Sequence, residues 1–101
     1  MSDHEITPNE VLDMIEKKQP VSIIDVREDE EVEAGKIPEA QHIRMSEVPE
    51  RIDELDKNEQ YIIVCRSGRR SGYVSEYLRE QGFDAKNMAG GMLEWEGEVR
   101  A

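Results

Sequence analysis

Short apolar runs alternate with stretches of helical periodicity along this chain. Thr7-Pro8-Asn9-Glu10 reads as a helix start, with Thr7 as N-cap, Pro8 in the first turn and Glu10 closing a capping box. Val11, Leu12, Met14 and Ile15 continue one apolar face to about Lys18, where Gln19-Pro20 breaks it. Residues 21–26 form a β-branched run that reads as a buried strand. The acidic residues 28–33 predict a short helix ended by Gly35, and residues 37–40 a turn. Residues 41–45 predict a short strand. Ser46 is placed to cap a second amphipathic helix carrying Val48, Ile52 and Leu55, and residues 56–59 form a polar loop.

Residues 61–64 predict a further strand, followed by a tight loop at Cys65 and a helix over 69–81. Val74, Tyr77 and Leu78 share one face of that helix, and Gly82 suits its C-cap. Residues 83–88 read as another strand and Ala89-Gly90-Gly91 as a turn. A last helix then carries Met92, Leu93 and Trp95 in the core. Alternating strands and helices predict an α/β layered domain with a mainly parallel sheet. In such sheets ligands bind beyond the carboxyl ends of the strands.

The 101 residues suit one domain, 1–101, with its core over about 6–97. Thirteen basic residues against twenty-four acidic ones give a net charge of -11. Such a surface repels nucleic acid and anionic membrane, so neither is expected as a direct partner. No apolar stretch approaches the ~20 residues that span a bilayer. Residues 1–5 show no basic region and no apolar segment of a signal peptide, and the cytoplasm is the expected address. One cysteine forms no internal disulfide, and with only His4 and His42 there is no clustered zinc spacing. His4 is expected in a loose terminus and His42 in a packing or surface role. The sequence leaves the oligomeric state open.

Cys65 changes this picture. It follows the strand Tyr61-Ile62-Ile63-Val64 and precedes Arg66-Ser67-Gly68-Arg69-Arg70-Ser71 at a helix start. The thiol is therefore expected in a cup of backbone N–H groups, where the helix dipole and the arginines lower its pKa. The same cup suits a bound anion. Gly68 allows positive φ, and Ser67 and Ser71 can add hydroxyl donors. Arg66, Arg69 and Arg70 are candidates for an anionic donor, because a guanidinium matches sulfonate-like oxyanions. Asp25 and Arg27 are read as structural support, a carboxylate at a strand end and an ion pair bracing the site. The run Asp29-Glu30-Glu31 with Glu33 reads as a solvated helix face, with docking of a basic partner as the alternative. Gly90-Gly91 lacks a GxGxxG pattern and is no nucleotide loop.

Three blocks in order resemble the rhodanese (thiosulfate sulfurtransferase) family in its single-domain form. They are Ile24-Asp25-Val26-Arg27-Glu28 running on to Gly35-Lys36-Ile37-Pro38-Glu39-Ala40, then Val64 to Ser71, then Asn87-Met88-Ala89-Gly90-Gly91-Met92-Leu93-Glu94-Trp95. Val32, Lys36 and Glu39 depart from the aromatic, His and Gly common in the family at those positions. All three lie outside the Cys65 loop.

The resemblance implies a three-layer fold with a mainly parallel central sheet flanked by helices. It implies ping-pong sulfur transfer through a Cys65 persulfide, with no cofactor and no metal. The implied donor is thiosulfate-like or a protein persulfide, and the implied acceptor is cyanide, a thiol or a thioredoxin-like protein. Since basic residues are common in the family directly after the cysteine and at the position of Arg70, the resemblance favours Arg66 and Arg70 over Arg69 as donor ligands. Three other readings stay open: a rhodanese-like binding or regulatory module without catalysis, a redox sensor that forms a sulfenic acid, and a cysteine-dependent phosphatase. Cysteine-dependent phosphatases use Cys-x5-Arg. Here Ser71 stands six residues after Cys65 and Arg70 comes one residue early, a loop sized for one sulfur atom.

Overall fold

Alternation of elements becomes a five-stranded parallel sheet in the computed structural model, which describes residues 3–101. The strands are β1 (Glu5–Ile6), β2 (Ser22–Asp25), β3 (Ala40–His42), β4 (Gln60–Val64) and β5 (Asp84–Met88), in spatial order β1-β5-β4-β2-β3. The α-helices are α1 (Pro8–Glu16), α2 (Asp29–Glu33), α3 (Val48–Arg51) and α4 (Arg69–Glu80). Thr7 caps α1 as the sequence predicts, with its hydroxyl accepting from Glu10 N and Glu10 accepting from Thr7 N.

β4 lies at the centre of the sheet, so it is apolar on both sides. Its side chains alternate. Tyr61, Ile63 and Cys65 pack with Val48 of α3 and Val74 and Leu78 of α4. Ile62 and Val64 pack on the opposite face with Val11 of α1 and Met88. The two clusters make three layers, and each fully buried Ile or Val contributes roughly 1.5–3 kcal/mol. Tyr61 meets Phe83 edge to face, with ring centroids 6.5 Å apart.

Three expectations change. Residues 5–6, with no strand pattern of their own, form the edge strand β1, because the rim of β5 offers unpaired backbone groups. Asn87 N donates to His4 O at 2.8 Å and Ala89 N to Ile6 O at 2.9 Å. The terminus at His4 is therefore tied to the sheet. The single helix expected after Ser46 is three short pieces: a 3-10 turn at Met45–Glu47, then α3, then a 3-10 turn at Ile52–Glu54. Pro49 begins α3 without an N–H, and Ser46 lies inside the first turn, which Glu47 closes by accepting from Arg44 N. Val48, Ile52 and Leu55 still face the core together. The last helix is only a 3-10 turn, Gly91–Glu94, since its first amides are engaged elsewhere.

Candidate active site

Cys65 stands at the carboxyl end of the central strand, where β4 gives way to the loop that opens α4. Gly68, at φ 94°, turns the chain so that the amides beginning α4 face back toward the sulfur. Gly68 N donates to Cys65 Sγ at 3.1 Å, and Ser71 Oγ lies 3.3 Å from it. Cys65 has no exposed surface.

Burial works against the charged thiol. The Ser71 hydroxyl and the amides of Ser71, Gly68 and Ser67 outweigh it, and Cys65 falls below the ordinary thiol value. The loop thus holds the thiolate by hydrogen bonds. The arginines, expected to share that task, are not among the leading causes.

A second ring of contacts holds the loop. Ser71 Oγ is closer to Asn87 Oδ1 than to the sulfur, and Asn87 Nδ2 donates to Gly68 O at 3.0 Å. The Gly68 carbonyl requires a donor, which sets the Asn87 amide with its oxygen toward Ser71. A hydroxyl has one proton. With a neutral thiol, Ser71 donates to Asn87; with a thiolate, the proton turns to the sulfur. Asn87 thereby links strand β5, the loop and α4, a role invisible in its sequence position beyond being an amide among buried neighbours.

The Gly90-Gly91 turn clamps the other side. Met92 N donates to Cys65 O at 2.9 Å and Leu93 N to Arg66 O at 3.0 Å. Beyond β2, Arg27 grips the Asp25 carboxylate with Nε and Nη2, at 2.8 Å for the shortest contact, and Nη2 also donates to Gly35 O at 2.8 Å. Arg27 N donates to Asp25 Oδ1 as well, so this buried pair ties the end of β2 to the end of α2. His42 Nε2 donates to Arg27 O at 2.7 Å, so the imidazole braces the chain after β2.

The arginines divide. Arg66 and Arg69 are exposed and make no ion pair among the described residues. Arg70, favoured from sequence as a donor ligand, is already engaged: its Nη1 and Nη2 donate to Glu31 Oε1 and Oε2 at 2.7 and 2.8 Å. Glu31 is therefore no solvated face of α2. The Arg70 hydrogen bonds hold its carboxyl well down, from 4.5 to about 2, against partial burial. No sequence signal pairs residues 39 positions apart.

The profile of the Rhodanese-like domain family matches residues 7–98. The chain belongs to this family. The putative sulfurtransferase YtwF of Bacillus subtilis is 49% identical over 99% of this chain and 97% of its own length. The thiosulfate sulfurtransferase GlpE of Coxiella burnetii is 32% identical over 78% of this chain and 75% of its own. A rhodanese-like domain protein of Staphylococcus aureus, solved by crystallography, superposes with a TM-score of 0.88 at 44% identity, covering 96% of this chain and 98% of that one. Both of these named bacterial relatives of the rhodanese-like domain are called sulfurtransferases. Of its departures from the family pattern, Lys36 is absorbed locally: its Nζ donates to Ala40 O at 2.7 Å and closes the 37–40 turn.

Two outcomes are expected here. Alkylation of Cys65 against pH shows an inflection below the ~8.5 of a free thiol. Ser71→Ala moves it upward, and an unchanged inflection contradicts the hydroxyl's role. Because folding favours the thiolate, that stabilisation is present above the unfolded thiol pKa and is lost as pH falls through the lower folded value. The Glu31–Arg70 pair behaves alike at acid pH. Its stabilisation, discounted to about 1 kcal/mol for partial exposure, is present above pH 4.5 and lost as pH falls toward about 2. Thermal unfolding of Glu31→Gln beside the unaltered protein reads it, as a gap at neutral pH that closes at the acid end.

Proposed function

We propose that this rhodanese-like domain is a sulfurtransferase that carries sulfane sulfur as a persulfide on Cys65. The observation that carries the reading is the convergence of Gly68 N and the Ser71 hydroxyl on a buried Sγ whose pKa is lowered. A preformed thiolate needs no general base. With thiosulfate, the thiolate attacks the outer sulfur, the S–S bond of the donor breaks, and sulfite leaves with its electron pair. The product is Cys65-S-S⁻. Its terminal sulfur is also anionic and meets the loop amides, an arrangement of the oxyanion-hole kind. An acceptor nucleophile then attacks that outer sulfur and the Cys65 thiolate departs. Cyanide accepting it yields thiocyanate; a thiol accepting it yields a new persulfide.

Arg66 and Arg69, both exposed and unpaired among the described residues, are the side chains this reading assigns to an anionic donor. Asp25, Arg27, Asn87 and Gly91 position the loop. Phosphatase chemistry is disfavoured by Ser71, buried against the sulfur at the position where that chemistry places an arginine.

The test is an intact mass after incubation with thiosulfate, followed by cyanide and a thiocyanate assay. A gain of one sulfur atom that cyanide discharges supports the reading. No gain from thiosulfate or from a persulfide-charged cysteine desulfurase overturns it in favour of a binding module.

A further inference from the structure

The Glu31–Arg70 pair places a carboxylate where an anionic donor would otherwise find an arginine. Arg70 lies in the first turn of α4, five residues after Cys65 and next to Ser71, whose hydroxyl is 3.3 Å from the sulfur. Both terminal nitrogens of its guanidinium are taken by Glu31. Glu31 is itself fixed, since Oε1 also accepts from Glu28 N at 3.0 Å in the capping box of α2. The two side chains are only 33% and 25% exposed, so water does not readily separate them. A bidentate pair of this geometry is among the stronger charge-assisted contacts. One of the three cations following Cys65 is thereby neutralised from outside the loop, leaving Arg66 and Arg69 without an ion pair among the described residues.

We propose that Glu31, by holding Arg70, tunes the charge selectivity of Cys65, weakening its preference for dianionic donors such as thiosulfate relative to sulfane-sulfur donors bearing one negative charge or none. The proposal rests on the sulfur-transfer reading above and extends its donor class to thiosulfonates and persulfides. Electrostatic work scales with donor charge, so a dianion is penalised about twice as much as a monoanion in free energy. Glu31 touches no reacting atom; it is a positioning residue that acts through Arg70.

Two donors that react alike but differ by one charge test this. Thiosulfate releases sulfite and methanethiosulfonate releases methanesulfinate, each leaving the same persulfide on Cys65. Glu31→Gln is expected to raise kcat/KM roughly tenfold for thiosulfate and roughly threefold for methanethiosulfonate, with gains that shrink as salt is added. Glu31→Asp, which keeps the charge, leaves the ratio between donors near its original value. Equal changes for both donors in Glu31→Gln overturn the proposal, because a purely structural role does not sort donors by charge.

Alkylation separates this proposal from the reading beneath it. Iodoacetate is an anion and iodoacetamide is neutral, and both modify a thiolate without any sulfur transfer. Glu31→Gln is expected to raise the ratio of their rates roughly threefold; an unchanged ratio overturns the role of Glu31. A raised ratio in a protein that takes sulfur from no donor supports the role of Glu31 and overturns sulfur transfer itself.

Discussion

Cys65→Ser is expected to remove sulfur uptake while leaving the protein folded. The loop is built to hold an ionised sulfur, with Gly68 N and Ser71 Oγ within 3.1 and 3.3 Å of Sγ. A serine hydroxyl remains protonated in the same place and cannot store a transferable sulfur, so the ping-pong cycle has no carrier. Removing a nucleophile of this kind costs on the order of 10³-fold or more in rate. Folding feels the change much less. Serine is smaller, its hydroxyl can accept from Gly68 N and donate to Ser71 Oγ, and the site is buried but polar on one side. Thermal unfolding is expected to shift by no more than about 1 kcal/mol, and the mass gain after thiosulfate to vanish. A variant that still gains one sulfur atom would falsify the assignment of Cys65 as carrier.

Gly91→Ala carries the largest expected effect on stability. Gly91 has φ 60°, and a Cβ there would lie 2.5 Å from Arg66 O and 2.6 Å from Cys65 O. Both neighbours are backbone, so neither can rotate away. Left-handed backbone costs a non-glycine residue roughly 1–2 kcal/mol, and forcing the clash apart adds about 1–3 kcal/mol. A loss of about 2–5 kcal/mol lowers the melting temperature of a domain this size by roughly 10–30 °C. Moving the turn also breaks the bonds from Met92 N and Leu93 N that hold the Cys65 loop, so sulfur uptake falls in the fraction that stays folded. Gly72→Ala is the contrast. Gly72 is inside α4, and its added Cβ meets Asn87 Nδ2 at an ordinary 3.5 Å. That change is expected to be neutral or to stabilise by up to about 1 kcal/mol. Similar melting shifts in the two variants would rule out the clamp described for Gly91.

The local signals in this chain were read correctly where one segment decides its own state. The capping box at Thr7 and Glu10 needs only neighbours three residues apart, and it formed as expected. β4 is apolar at every position from Tyr61 to Val64, and it became the central strand. The loop from Cys65 to Ser71 announced a thiol at a helix start, and the amides do face the sulfur. β1 was missed because a two-residue edge strand exists only by pairing with β5. The 46–55 helix was over-drawn because one apolar face can be kept by three short turns as well as by one helix.

What the amino-acid sequence determined by itself was the alternation of the central strands with helices, the α/β class, and a lone cysteine followed by arginines at a helix start. These depend on periodicity and on contacts a few residues apart. The partners of the site were decided only by the tertiary structure. Glu31 holds Arg70 across 39 positions, Asn87 takes up Ser71 and Gly68 from another strand, and Gly91 fits against the backbone of Arg66. Each links segments that meet only after the sheet has closed. The charge that a donor meets at Cys65 is therefore set by the pairing of α2 with α4, because a guanidinium already saturated by a carboxylate is no longer an open anion site.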